Sequence, residues 1–278
     1  MTVIGVITIG PAAPADFGVT MAGAAVGHQL GLLSSWSRKS KPTENIPLAA
    51  CRTVYIEASP QGGSIRTIFG LRVPDHGTGL QTFASQAVDP TMNGSLDWRT
   101  SAEQLPGGTP FLDCPADPAA SALLLSNSGP ATVGRLAATP DLAVVDFGEP
   151  YFGSPALKCL QLASFVLVVI TSARPVLARA VSHTVGLLQD TVQPGKLAFV
   201  IRGDANDPKP DGQALQQVLP APVSLVVPYD PKAAIGSVRK DKTRESSLAV
   251  RAIRSYTAKL MDSNASIGGV GWNQPIPH

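Results

Sequence analysis

Apolar and polar positions along the chain alternate between two kinds of run. Val3–Ile9, Thr53–Ile56, Leu142–Val145, Phe165–Ile170, Leu197–Ile201 and Ser224–Val227 are short and nearly uninterrupted in apolar, mostly β-branched residues. That is the pattern of strands buried on both faces of a parallel sheet. Between them lie stretches with helical character: residues 18–33, Ser154–Leu162, Arg174–Leu188, Gly212–Leu219, Asp230–Val238 and Glu245–Met261. A short helix ending near Gly70 and another starting near Ala119 fit the same scheme. Repeated βα units predict an α/β fold, a doubly wound, mostly parallel sheet with helices on both faces. One domain over residues 1–262 is expected, followed by a Gly/Pro-rich flexible tail, 263–278.

Two regions resist this reading. SWSRKSKPTENIPLAA, ending at Ala50, is polar and rich in breakers, and predicts an exposed loop. Residues 74–118 are broken repeatedly by Gly, Pro and Asp, with Phe111-Leu112 as the one strand-like pair.

Composition narrows the function classes. An apolar content of 44% with only 5% aromatics supports a large aliphatic core, and a net charge of +2 gives no overall preference for nucleic acid or membrane. Cys51, Cys114 and Cys159 are widely spaced, with no Cys-x-x-Cys. That argues against a disulfide framework or a zinc site and for buried thiols in a reducing cytoplasm. The first apolar run lacks a basic leader and a small-residue cleavage site, and Leu160–Ile170 is too short to cross a bilayer as a helix. A cytoplasmic protein is expected. His28, His76, His183 and His278 do not cluster, and no serine lies in Gly-x-Ser-x-Gly, so neither a metal centre nor a nucleophilic serine is expected.

In a doubly wound sheet, ligands bind beyond the carboxyl ends of the strands. Three such ends carry unusual residues: Gly10–Thr20, Glu57–Gly63 and Asp146–Pro150. A phosphate-binding loop needs glycines for close backbone approach, a lysine for the β/γ-phosphates and a Ser/Thr for Mg²⁺. A carboxylate ending a nearby apolar strand completes the metal's surroundings. Here Gly18 and Thr20 supply a helix-entry glycine and a hydroxyl, and Asp146 supplies the strand-end acid. Asp146 could equally just end its strand, and Glu57 has the same ambiguity.

Taken together, these segments resemble the ParA/MinD family of deviant Walker A P-loop ATPases, particularly the MinD-like proteins common in actinobacteria. That family carries Lys-Gly-Gly-x-Gly-Lys-Thr-Thr after its first strand. The aligned residues here are Pro14-Ala15-Asp16-Phe17-Gly18-Val19-Thr20-Met21, so both lysine positions are apolar, at Pro14 and Val19. The family's acid-x-Asp-Pro-x-Gly aligns with Glu57-Ala58-Ser59-Pro60-Gln61-Gly62, placing Ser59 where the resemblance implies a water-ordering Asp. Leu142-Ala143-Val144-Val145-Asp146 matches the Walker B strand best.

A hydrogen bond to a charged group is worth roughly 1.5–3 kcal/mol, so two missing lysines cost about 3–6 kcal/mol. That is roughly two to four orders of magnitude in affinity. The resemblance therefore implies a vestigial nucleotide site at Gly18, Thr20, Glu57, Ser59 and Asp146, with no catalytic residue, no resident cofactor, and weak ATP/Mg²⁺ binding at most. The expected protein is a pseudo-ATPase acting as a dimerising scaffold or positioning partner, with Phe17 and Gln61 at the dimer contact. The alternative is a slow partition-type ATPase whose lysines come from elsewhere. A third class is a non-specific DNA-binding module.

That third class rests on the C-terminal helix. Arg239, Lys240, Lys242, Arg244, Arg251, Arg254 and Lys259 are opposed only by Asp241 and Glu245. Leu248, Ala252, Tyr256 and Leu260 recur every four residues as an apolar stripe. The plain reading is a helix packed on the sheet with a solvated basic face. The sharper one is a surface for DNA or anionic membranes.

Overall fold

The computed structural model describes residues 2–9, 14–29, 47–72, 78–91, 96–106, 108–139, 141–230 and 247–266. Eight strands form one sheet: β1 (Thr2–Thr8), β2 (Thr53–Glu57), β3 (Glu103–Gln104), β4 (Pro110–Leu112), β5 (Leu142–Asp146), β6 (Phe165–Thr171), β7 (Leu197–Arg202) and β8 (Val223–Val227). Their order is β3-β4-β2-β5-β1-β6-β7-β8, parallel throughout except for the β3/β4 pair at one edge. The apolar runs are strands because both their faces are covered. Along β5, Val144 packs on one side with Ile4, Val6, Tyr55 and Leu167, while Ala143 and Val145 pack on the other with Val3, Ile7, Val54 and Val168.

The first face is covered by α1 (Pro14–Gln29) and by the C-terminal helix α8 (Leu248–Ser266). The second is covered by α3 (Gly79–Val88), α4 (Pro118–Ala137), α5 (Ala156–Leu160) and α6 (Arg174–His183), the last continuing as a π-helical turn over Thr184–Leu188. Two short helices complete the described elements: α2 (Ile65–Phe69) and α7 (Gly212–Gln216).

Several expectations shift. Helix α1 begins at Pro14, a turn ahead of the expected Gly18, so the residues aligned with the phosphate loop are helical. Helix α8 runs to Ser266, past the expected helix end at Met261. Its buried apolar side chains are Ala249, Val250, Ile253, Tyr256 and Leu260, while Leu248 is exposed. The packed stripe is thus rotated from the expected one, and only Tyr256 and Leu260 belong to both. The polar stretch up to residue 46, most of the helix expected over Asp230–Val238, and the tail beyond Ser266 lie outside the described residues.

The region from 74 to 118 proves to be a packed edge. Helix α3 buries Leu80, Phe83, Ala84 and Ala87, and the β3/β4 hairpin extends the sheet. Arg66 of α2 pins it, pairing with Glu103 and Asp113 and donating to the Arg72 carbonyl at 2.6 Å. At the opposite ends of the strands, buried Asp141 accepts from Trp98 Nε1 (3.1 Å), Arg99 Nη2 (2.8 Å) and Arg52 Nε (3.4 Å). The Arg99 guanidinium lies 4.4 Å from the Trp98 ring centre. Removing Asp141 deprives the buried Trp98 N–H of its acceptor and Arg99 of one of its charged partners. Asp141→Ala is expected to lose roughly 3 kcal/mol in urea unfolding. A loss within the ordinary surface range would show that this hub contributes nothing.

Candidate functional site

Strands β2 and β5 run side by side in register, and their last residues, Glu57 and Asp146, are direct neighbours. Alternation along the strands puts both on the same face as Tyr55 and Val144, the face covered by α1. Both carboxylates are almost fully buried. Asp146 Oδ1 accepts the Gly148 N–H at 2.8 Å, and its Oδ2 accepts the Tyr55 hydroxyl at 3.1 Å. Glu57 Oε1 accepts the backbone N–H of Ser64 (2.6 Å) and of Ile65 (3.1 Å), as well as the Ser64 hydroxyl (3.1 Å). Glu57 thus caps the first turn of α2 from the sheet, satisfying N–H groups that helix geometry leaves unpaired.

Helix α1 closes this end from above. Phe17 and Val19 are buried in its packing on the sheet. A Cβ at Gly18 would stand 2.7 Å from the Tyr55 ring, so the glycine lets this helix lie directly on that ring. Thr20 is partly exposed on the same helix. Phe17 is therefore not an exposed anchor for a second subunit, because its own chain already encloses it. Val19, at a lysine position of the resembled motif, is a core residue. Residues 10–13 lie outside the described residues.

Ser59 and Gln61 form a separate clamp. Ser59 Oγ donates to Gln61 Oε1 (2.8 Å), and Gln61 Nε2 donates to the Glu149 carbonyl (2.6 Å). This ties the turn after β2 to the loop after β5. Gly148 makes the approach possible: its φ is +63°, and a Cβ there would lie 2.6 Å from both Ser59 Oγ and Gln61 Oε1. Glu149 also pairs with Arg179 of α6 at 2.5 Å. The turn so fastened carries Tyr151, half exposed, and Phe152, 91% exposed.

The structure therefore joins Gly18 and Asp146 through Tyr55, which sequence reasoning passed over, and sets Glu57 beside Asp146 by strand register. The available signal was a hydroxyl-bearing aromatic at Tyr55, two positions before Glu57 on the same strand face. Of the basic C-terminal residues, Arg251 and Lys259 are exposed on α8 and Arg254 is partly exposed. Arg239, Lys240, Lys242 and Arg244 lie outside the described residues. Among the described residues, no group of three or more His, Cys, Asp or Glu is placed to hold a metal ion, and no helix is long and apolar enough to cross a membrane.

Burial dominates the electrostatics. It pushes Glu57 up to about 7, opposed by the Ser64 N–H and reinforced by the neighbouring Asp146 charge. Burial likewise pushes Asp146 up to about 6, against the stabilising Gly148 and Tyr55 hydrogen bonds. Tyr55 is pushed well above its ordinary value, chiefly by burial and then by the charge of Asp146. A carboxyl raised in the folded state favours folding when protonated, and that contribution is lost as pH rises from its unfolded value through its folded one.

Wild-type stability should therefore be eroded by Glu57 between about pH 4.5 and 7. Glu57→Gln keeps an acceptor for α2 without the charge. It should match wild type near pH 4.5 and exceed it by on the order of 3 kcal/mol by pH 8, read from denaturant unfolding across pH. A constant difference at every pH would contradict this origin.

No family model and no curated protein matches the chain. Solved structures do. A ParA family ATPase from Chlorobium tepidum superposes with a TM-score of 0.67 at 14% identity, covering 92% of this chain and 98% of that one. The septum site-determining protein MinD from Pyrococcus horikoshii, complexed with Mg-ADP, gives 0.65 at 15% identity, covering 97% and 99%. A chain of a MinC:MinD cell division protein complex from Aquifex aeolicus gives 0.61 at 16% identity, covering 94% and 96%. The chain has the ParA/MinD-like P-loop NTPase fold.

Proposed function

We propose that this chain is a cytoplasmic spatial-positioning or partition scaffold that has kept the ParA/MinD architecture and works without nucleotide turnover. The observation that carries the reading is the closure of the strand ends from within. Val19 sits in the core where the resembled motif has a lysine, Gly18 is filled by the Tyr55 ring, and both oxygens of Asp146 already accept hydrogen bonds. These residues fit a Mg²⁺–triphosphate poorly. A neutral core side chain offers nothing to β/γ-phosphates, and the strand-end carboxylate is committed to its own chain.

A scaffold of this kind needs contacts that do not depend on a bridging nucleotide. With Phe17 enclosed, the candidates are Phe152 and Tyr151, on the turn that the Gln61 clamp holds against the rest of the site. Exposed aromatics on a preorganised turn are the kind of anchor that carries interface energy. The likeness to a chain of a MinC:MinD complex supports a protein partner as the other class of contact.

Exposed Arg251 and Lys259 on the outer side of α8 favour a second, weaker reading as a non-specific DNA-binding surface.

Calorimetric titration with ATP and Mg²⁺ should show no saturation in the micromolar range, and light scattering without nucleotide should show a dimer or larger species. Phe152→Ala should weaken that association roughly tenfold or more. Micromolar ATP binding, or a strict monomer at high concentration with and without ATP, would overturn the reading. For the DNA reading, log K against log salt should fall by about 0.9 per phosphate engaged. Arg251→Ala with Lys259→Ala should then flatten that slope by about 2. An unchanged slope would leave α8 as a packed helix with a solvated basic face.

A further inference from the structure

We infer that Tyr55 is a built-in latch, taking on Asp146 the place that a hydrated divalent cation would need, so that the strand ends stay closed whatever ligands are present. This rests on the nucleotide-independent reading above and adds the residue responsible for it.

The observations are geometric. The Tyr55 side chain is completely buried and spans from α1 to β5. A Cβ on Gly18 would stand 2.7 Å from its ring, and its hydroxyl donates to Asp146 Oδ2 at 3.1 Å. The other carboxylate oxygen takes the Gly148 N–H. Each oxygen that could face a cation's water shell therefore already has a donor from the same chain.

The second carboxylate is committed as well, since Glu57 holds the backbone N–H groups at the start of α2. A hydrated cation entering here would have to share Asp146 with the Tyr55 hydroxyl in a space that the ring and α1 already fill. The ring is fully buried under α1, which can lie this close only because residue 18 has no Cβ. Helix α1, strands β2 and β5 and the turn leading to α2 are thereby joined by one side chain and the acid next to it. The loop after β5, which carries Phe152, starts from that same acid and is fixed by Gly148. The latch thus holds the proposed contact turn in one arrangement.

A double-mutant cycle on the full chain tests this with Tyr55→Phe, Asp146→Asn and the pair, read by thermal unfolding with and without millimolar Mn²⁺. Tyr55→Phe keeps the ring over Gly18 and loses only the hydroxyl, so the fold persists. Its midpoint should fall by roughly 3–10 °C. The double variant should depart clearly from the sum of the two singles, because both alter the same hydrogen bond. Mn²⁺ should leave the wild-type midpoint unmoved. Strictly additive single effects would overturn the latch, as would Mn²⁺ stabilisation of wild type that Asp146→Asn abolishes.

Self-association measured on the same samples separates the two ideas. A dimer with Asp146-dependent Mn²⁺ stabilisation removes the latch and leaves the scaffold. A strict monomer with a non-additive cycle removes the scaffold and leaves the latch.

Discussion

Burial of the paired carboxylates Glu57 and Asp146 is the constraint around which this end of the molecule is organised. Adjacent strands bring them together, and the apolar underside of α1 removes them from water. A buried charge is costly unless it is hydrogen-bonded or neutralised, and this chain uses both remedies. Glu57 takes the free N–H groups of α2, Asp146 takes Gly148 and Tyr55, and both are held well above the ordinary carboxyl range. The position of α2, the course of the loop after β5 and the seat of α1 on the Tyr55 ring all follow from satisfying these acids.

The same arrangement connects fold to function. In a doubly wound sheet this edge is where ligands enter, and the P. horikoshii MinD of the same fold was crystallised with Mg-ADP. Here the strand ends are occupied by the chain's own side chains, which also tie the neighbouring loops together. Ser59, Gln61 and Glu149 clamp one loop to the next, and Glu149 reaches on to Arg179. The turn that these contacts fasten carries the exposed Phe152.

Much of the architecture was legible in the sequence because parallel strands buried on both faces have a distinctive pattern. Phe165–Ile170 and Leu142–Asp146 announce themselves as sheet, and the acid ending β5 stands out against its apolar run. The start of α1 was misplaced because Gly18 read as a helix-entry glycine, whereas its role is to admit an aromatic ring from the sheet. That contact joins residues far apart in the chain, and no local spacing encodes it. For the same reason Phe17 looked like an exposed anchor and Tyr55 like an ordinary strand residue. The 74–118 region was opaque because its order depends on Arg66, which reaches from α2 to Asp113 and Glu103. Ser59 and Gln61 were picked out by motif, but their partnership through Glu149 needs a glycine at positive φ in another loop.

The central claim is that the chain's own tyrosine, and not a metal–nucleotide complex, completes Asp146. The most direct measurement is a crystal structure grown in the presence of ATP and Mg²⁺. It should show the Tyr55 hydroxyl within hydrogen-bonding distance of Asp146, Gly18 against the same ring, and no phosphate at the start of α1. A triphosphate seated there, with Asp146 turned from Tyr55 toward a magnesium ion, would contradict the account.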